Sequence, residues 1–191
     1  HEMVHLMLPN VDRGRQGWVS EGLATYVEAA ARLSAGKLHR NAFWLHLNRG
    51  LAGATGAAAE GGLDATSGSK QAYWSGALFW LLADIQIRQE TGMRRSLVDG
   101  LRGIQTAGGC VSEHWDVKNV MSTADRATGV GVLTALHAKM RGAPVRDNVG
   151  ELLGRLGVRI QGDAVSYDDA APLAAVRRSM EAAGLQFTSR D

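Results

Sequence analysis

Residues 70–90 read KQAYWSGALFWLLADIQIRQE, and this stretch decides the fold class. Ala72, Ala77, Leu78, Leu81, Leu82 and Ile85 share one broad face of a helix, which makes 70–90 the strongest helical segment of the chain. Working outward, helical spacing recurs over 20–35, where Leu23, Val27, Ala30 and Ala31 form an apolar stripe behind Ser20 as the cap. It recurs again over 38–47, 94–104, 119–126, 130–140, 149–156 and 171–183. A short helical piece at 1–8 stops at Pro9 and leads into a polar loop through Asn10, Asp12, Gly14 and Gly17. Residues 50–69 hold six glycines among small side chains and read as a mobile loop, with a helical turn expected at 57–60. Val158–Ile160 is the single strand candidate. The expected class is therefore mainly α. A boundary near 141–148 divides a helical portion, 1–145, from a C-terminal helical extension, 146–191, packed on the same domain.

Composition agrees with one globular unit. The 191 residues (20.4 kDa) are 45% hydrophobic and 21% charged, enough for a substantial core. Twenty-one Lys and Arg face 19 Asp and Glu, a formal charge of +2, so no concentrated basic footprint marks nucleic acid as a partner. A single cysteine excludes an internal disulfide framework. No apolar run reaches the ~18 residues that a membrane span needs. The chain opens at His1 without an initiator Met or a basic, apolar leader, and is expected to be a piece of a longer protein.

The chemistry concentrates at that opening. His1-Glu2-Met3-Val4-His5 is an H-E-x-x-H motif. On a helix the two imidazoles share a face and can reach one zinc ion, while Glu2 beside them can accept a proton from a zinc-activated water. Only three positions are constrained, so the motif alone also admits two surface histidines on a short amphipathic turn. Sixteen positions after His5, Trp18-Val19-Ser20-Glu21-Gly22-Leu23-Ala24-Thr25-Tyr26 places Glu21 on the next helix. If that helix returns antiparallel, Glu21 can supply a third, oxygen ligand and leave a fourth position open. Gly22 permits a close backbone approach, and Thr25, one turn on, can orient a ligand from behind.

Together these pieces resemble the gluzincin metallopeptidases, and more closely the aminopeptidases whose zinc helix is followed by a W-x-x-E-G segment, including the glycyl aminopeptidase branch. The resemblance implies that His1, His5 and Glu21 bind Zn2+ and that Glu2 is the general base. Ala72-Tyr73-Trp74-Ser75-Gly76 is similar to the Y-x-K-G stretch carrying the catalytic tyrosine of these enzymes, with Ser75 where the family has lysine. Tyr73 then donates a hydrogen bond to the developing oxyanion. The implied fold is a multi-helix, gluzincin-like catalytic domain fragment, lacking the β-rich domain that precedes it in such enzymes. The implied partner is a peptide or protein substrate. The spacer from His5 to Glu21 is shorter than in the main aminopeptidase branch, and exopeptidase and endopeptidase action both stay open. A second reading, a catalytically inactive peptidase-derived helical interaction domain, is kept beside the first.

Other polar residues have plainer expectations. Cys110 reads as a small buried hydrophobe. Glu113, His114 and Asp116 read as loop surface, and His137 as structural. His39 and His46, seven apart near Phe43, Trp44 and Leu47, suit packing or a groove wall better than a second metal site. Thr128 is expected to cap the helix over 130–140. Arg126 is expected to pair with an acid, and Arg94–Arg95 and Arg177–Arg178 to lie on charged surface faces.

Overall fold

A computed structural model describes residues 1–54, 61–66, 70–143 and 148–182. Its helices are α1 (Glu2–His5), α2 (Arg13–Ser34), α3 (Arg40–Leu51), α4 (Lys70–Glu90), α5 (Leu97–Thr106), α6 (Val117–Thr128), α7 (Val132–Met140), α8 (Val149–Arg155) and α9 (Ala174–Ala182). A 3-10 turn, Leu63–Ala65, precedes α4, and an antiparallel hairpin of β1 (Val158–Gln161) and β2 (Ala164–Tyr167) precedes α9. The protein is mainly helical, as its periodicity predicts. Among the described residues no helix is long and apolar enough to cross a membrane.

Helix α4 is the hub. The broad face read from its sequence is buried, but so are Phe79, Trp80, Ala83 and Ile87 on its other sides. A helix apolar all round belongs inside, ringed by other elements. Its main neighbour is α2, and α3, α5, α7 and α9 also pack against it. Helices α2 and α4 cross with their backbones in contact. A Cβ on Gly22 would lie 2.3 Å from the Gly76 backbone, and one on Gly76 would lie 2.2 Å from the Trp18 carbonyl oxygen. Trp18 packs edge-on against Phe79, and Trp80 Nε1 donates to the Val19 carbonyl at 2.9 Å, so aromatic rings lock the crossing from both sides.

A buried polar network ties the remaining helices to this pair. Tyr26 donates to Asp84 Oδ2 at 2.8 Å, and Arg88 Nε and the Leu97 amide both donate to Asp84 Oδ1. Arg88 also reaches Ser179 on α9. Burial, followed by the Asp84 charge, raises the Tyr26 pKa well above its usual value, so the phenol stays a donor. The segment 148–182 packs on the rest through Trp44 Nε1 to Glu181, Tyr167 to Asn41 and Arg88 to Ser179.

Several local expectations are corrected. Helix α2 begins at Arg13, not near Ser20: Asp12 accepts from the Gly14 amide, and a kink at Gln16 turns the supposed loop into a first helical turn. Ser20 lies inside the helix with its hydroxyl near the Gly17 carbonyl. Within the expected loop 50–69, Ala54, Leu63 and Thr66 are buried, because Asp64 holds this stretch down through Trp18 Nε1 and Arg141. The turn expected at 57–60 lies outside the described residues. Thr128 ends α6 rather than capping α7. The cap comes from buried Asp125, whose two carboxylate oxygens accept from the Leu133 and Thr134 amides. Arg126 bonds to the Thr123 hydroxyl rather than to an acid. Cys110 is exposed beside Ser112. Arg177 is buried and donates to the Leu156 carbonyl and to Asp169 and Glu181. Its stem and guanidinium cover the Tyr167 ring, which is how a cation tolerates the interior.

His137 is 5% exposed, lies against the Trp18 ring, and leaves Nε2 without a hydrogen-bond partner. Burial lowers its pKa, opposed by Asp64 and Asp116 and assisted by Arg141 and Lys118. The unfolded chain, with a histidine pKa near ~6.5, therefore binds more protons than the folded one between that value and the lowered one. Stability is expected to fall as pH drops through this window and to gain nothing further from His137 above it. Urea unfolding of wild type and His137→Phe between about pH 7.5 and pH 5 checks this, with a shallower pH slope expected for the variant. Identical slopes would reject the assignment.

Candidate metal centre

Helix α1 is a single turn held down by buried Val4, with Leu8 and Val11 buried in the segment that follows. That anchoring turns His1 and His5, one helical turn apart, toward α2. Glu21 meets them there. Its Oε2 lies 3.3 Å from His1 Nε2 and 3.6 Å from His5 Nε2. The imidazole rings meet edge-on with centroids 5.0 Å apart. Ligand atoms of His1, His5 and Glu21 all lie within 4.8 Å of one another, and they form the one such group of three found among the described residues.

The donor set fits zinc. Bonds of ~2.0–2.2 Å in a tetrahedral site put neighbouring ligand atoms about 3.3–3.6 Å apart, and both histidine–glutamate separations fall there. Two imidazoles and one carboxylate would leave a fourth position on a zinc ion, and all three residues line a cleft of about 1220 Å³. All three side chains are half-buried, accessible from the cleft but partly screened from bulk water.

The α2–α4 crossing brings Tyr73 to the same cleft. Gly22 follows Glu21 directly and touches the Gly76 backbone, so Tyr73, less than one turn before Gly76, sits beside the cluster. Its ring stacks near His1 with centroids 6.0 Å apart, and it is 39% exposed. The Glu21 charge raises its pKa, with desolvation, hydrogen bonding to Glu21 and the Glu2 charge adding to the shift. The phenol is thus kept protonated. Glu2 is exposed and also lines the cleft, where Met3 and Leu6 (81% and 59% exposed) add apolar surface. The structure therefore gathers His1, Glu2, His5, Glu21, Thr25 and Tyr73 into one place. Thr25 contacts Glu21 through the backbone: its hydroxyl donates to the Glu21 carbonyl at 2.8 Å and steadies the helix rather than the carboxylate.

Besides Met3 and Leu6, Glu28, His46 and Trp74 line the cleft without having been predicted as site members. Glu28 Oε2 lies 3.8 Å from His1 Nδ1, on the side away from Glu21, where a carboxylate fixes the tautomer and orientation of a ligating imidazole. Its signal was available: Glu21, Thr25 and Glu28 follow i, i+4, i+7 on one face of α2. Trp74 and His46 also line the cleft, which agrees with the groove-wall expectation for His46 on α3. His39, by contrast, caps α3 through the Asn41 amide. Glu113, His114 and Asp116 stay on the surface.

Comparison with models of known protein families, with curated proteins and with solved structures finds no match to this chain.

Proposed function

We propose that the chain is the helical catalytic portion of a zinc-dependent peptidase, resembling the gluzincin aminopeptidases. The observation that carries this reading is the convergence of His1, His5 and Glu21, with ligand atoms within 4.8 Å of one another, beside an open cleft. His1 and His5 would each contribute an imidazole nitrogen and Glu21 a carboxylate oxygen. Bound zinc supplies Lewis acidity at the open side of this triad. The other groups act on substrate and water. The Glu2 carboxylate accepts a proton as water oxygen attacks the scissile carbonyl carbon. It returns that proton to the amide nitrogen as the carbon–nitrogen bond breaks, so the products are a carboxylic acid and a free amine. The Tyr73 hydroxyl, protonated and exposed at the cleft, donates to the oxyanion that forms between these steps. Glu28, 3.8 Å from His1 Nδ1, would favour the orientation of His1 by its charge.

Zinc content tests the reading directly. Chain purified without chelator is expected to carry close to one zinc, and Glu21→Ala to lose most of it, because two imidazoles alone do not make a closed tripod. Hydrolytically active protein with no zinc would overturn the assignment. Folded protein with neither zinc nor hydrolysis would favour the interaction-domain reading.

A further inference from the structure

One part of the cleft wall has a second side. Trp74 and His46 line the cleft, and the same two side chains line an adjoining groove of about 440 Å³ completed by Ala42, Leu45 and Gly50. Their rings lie 5.1 Å apart at a 59° tilt. The groove opens along α3, so an elongated ligand in the cleft can send a side chain past the His46–Trp74 pair without leaving the surface.

The position of Trp74 depends on Gly50. A Cβ at Gly50 would lie 2.1 Å from the indole, among its six-membered-ring carbons, so the ring lies directly on the α3 backbone. Any larger residue at 50 must push it off. Trp74 is also only half-buried, although every other described tryptophan except Trp115 is fully enclosed. Its exposed face is the floor shared by cleft and groove. The one charged group at the groove, Arg49, has its guanidinium engaged by Asp163 at 2.6 Å. Beside Arg49, the groove is lined by the aromatic rings of Trp74 and His46 and the aliphatic Ala42 and Leu45.

We infer that the Trp74–His46 groove is a specificity subsite that takes a bulky apolar side chain, aromatic or branched aliphatic, of a peptide lying across the metal-ligand cluster. This deepens the peptidase reading and rests on it for the identity of the ligand as a peptide. Three things point the same way: continuity with the cleft, an aromatic floor held in place by a glycine, and an internally paired cation. Trp74 would stack on the side chain, and His46 would close the groove edge over it.

The test uses zinc-free chain in chelator and two N-acetylated, C-amidated tripeptides that differ only in a central Phe or Gly. Binding is read by calorimetry and by the indole N–H resonance of Trp74. Wild type is expected to prefer the Phe peptide about tenfold, the scale of removing one large apolar side chain from water. Gly50→Val, which displaces the indole, and Trp74→Ala are each expected to bring the ratio close to one. His46→Ala, at an exposed helical position where folding is not at stake, is expected to lower the ratio severalfold. A wild-type ratio near one, or no measurable binding at millimolar peptide, overturns the subsite. So does a full ratio retained in His46→Ala together with either other variant. Zinc loading is measured separately. A subsite that discriminates in a chain that takes up no zinc removes the peptidase reading alone. A zinc-loaded chain without discrimination removes the subsite alone.

Discussion

Glu2→Gln is expected to reduce peptide turnover by about 10²–10⁴-fold at matched zinc content. The substitution keeps the size and nearly the shape of the side chain but removes the negative charge that accepts a proton from the attacking water. Glu2 lies on α1 between His1 and His5, lines the cleft, and has no buried role that a glutamine would disturb. Metal content should therefore stay near wild type, because the three ligand atoms come from other residues. The loss should appear in kcat rather than KM, since an interaction made only as charge develops leaves substrate binding intact. Metal analysis beside steady-state kinetics checks both halves. Wild-type turnover in fully loaded variant would take the base role from Glu2. Loss of zinc together with turnover would make it a structural determinant of the site.

Gly76→Ala should be strongly destabilising for a single added methyl. The added carbon would sit 2.2 Å from the Trp18 carbonyl oxygen and 2.8 Å from the Gly22 Cα. These are backbone atoms of a long helix and cannot rotate away as a side chain would. Relief requires α2 and α4 to separate along their whole contact, loosening the Trp18–Phe79 packing and the Trp80–Val19 hydrogen bond. Overpacking of a core costs ~1–3 kcal/mol and more where backbone must move, and the upper end is expected here. Gly17→Ala is the matched control: it lies in the same helix as Gly22 with nothing within 4 Å of the added carbon. There the better helix propensity of alanine should leave stability unchanged or raise it by about 0.5–1 kcal/mol. Urea unfolding of the pair reads the difference. Because the crossing sets Glu21 against Tyr73, Gly76→Ala should also weaken zinc retention, whereas Gly17→Ala should not. Equal stability of the two variants would mean that the crossing tolerates a methyl and does not position the site.

The helices and the shared face of His1 and His5 were legible in the sequence because both are local patterns. Apolar spacing over 70–90 needs no partner to specify a helix, and His1 and His5 share a face by helical geometry alone. Glu21 and Tyr73 were found through short motifs, and Gly22 already suggested a close approach. Tertiary structure decided the rest, each time because a residue's role was set by something distant in the chain. Burial on all sides of α4 arises only when α2, α3, α5, α7 and α9 surround it. Asp125 caps a helix eight residues later, a task nearby Thr128 seemed placed to perform. Arg177 turned inward because Asp169, Glu181 and the Leu156 carbonyl together replace the water it gives up. The Tyr26–Asp84–Arg88 network joins residues 58 positions apart, and no spacing rule connects them. The cleft follows the same logic. The candidate metal ligands lie at α1 and α2, but other residues lining the cleft come from α3 and α4. Gly50 and Trp74 are paired only because two helices pack so closely that no side chain fits between them.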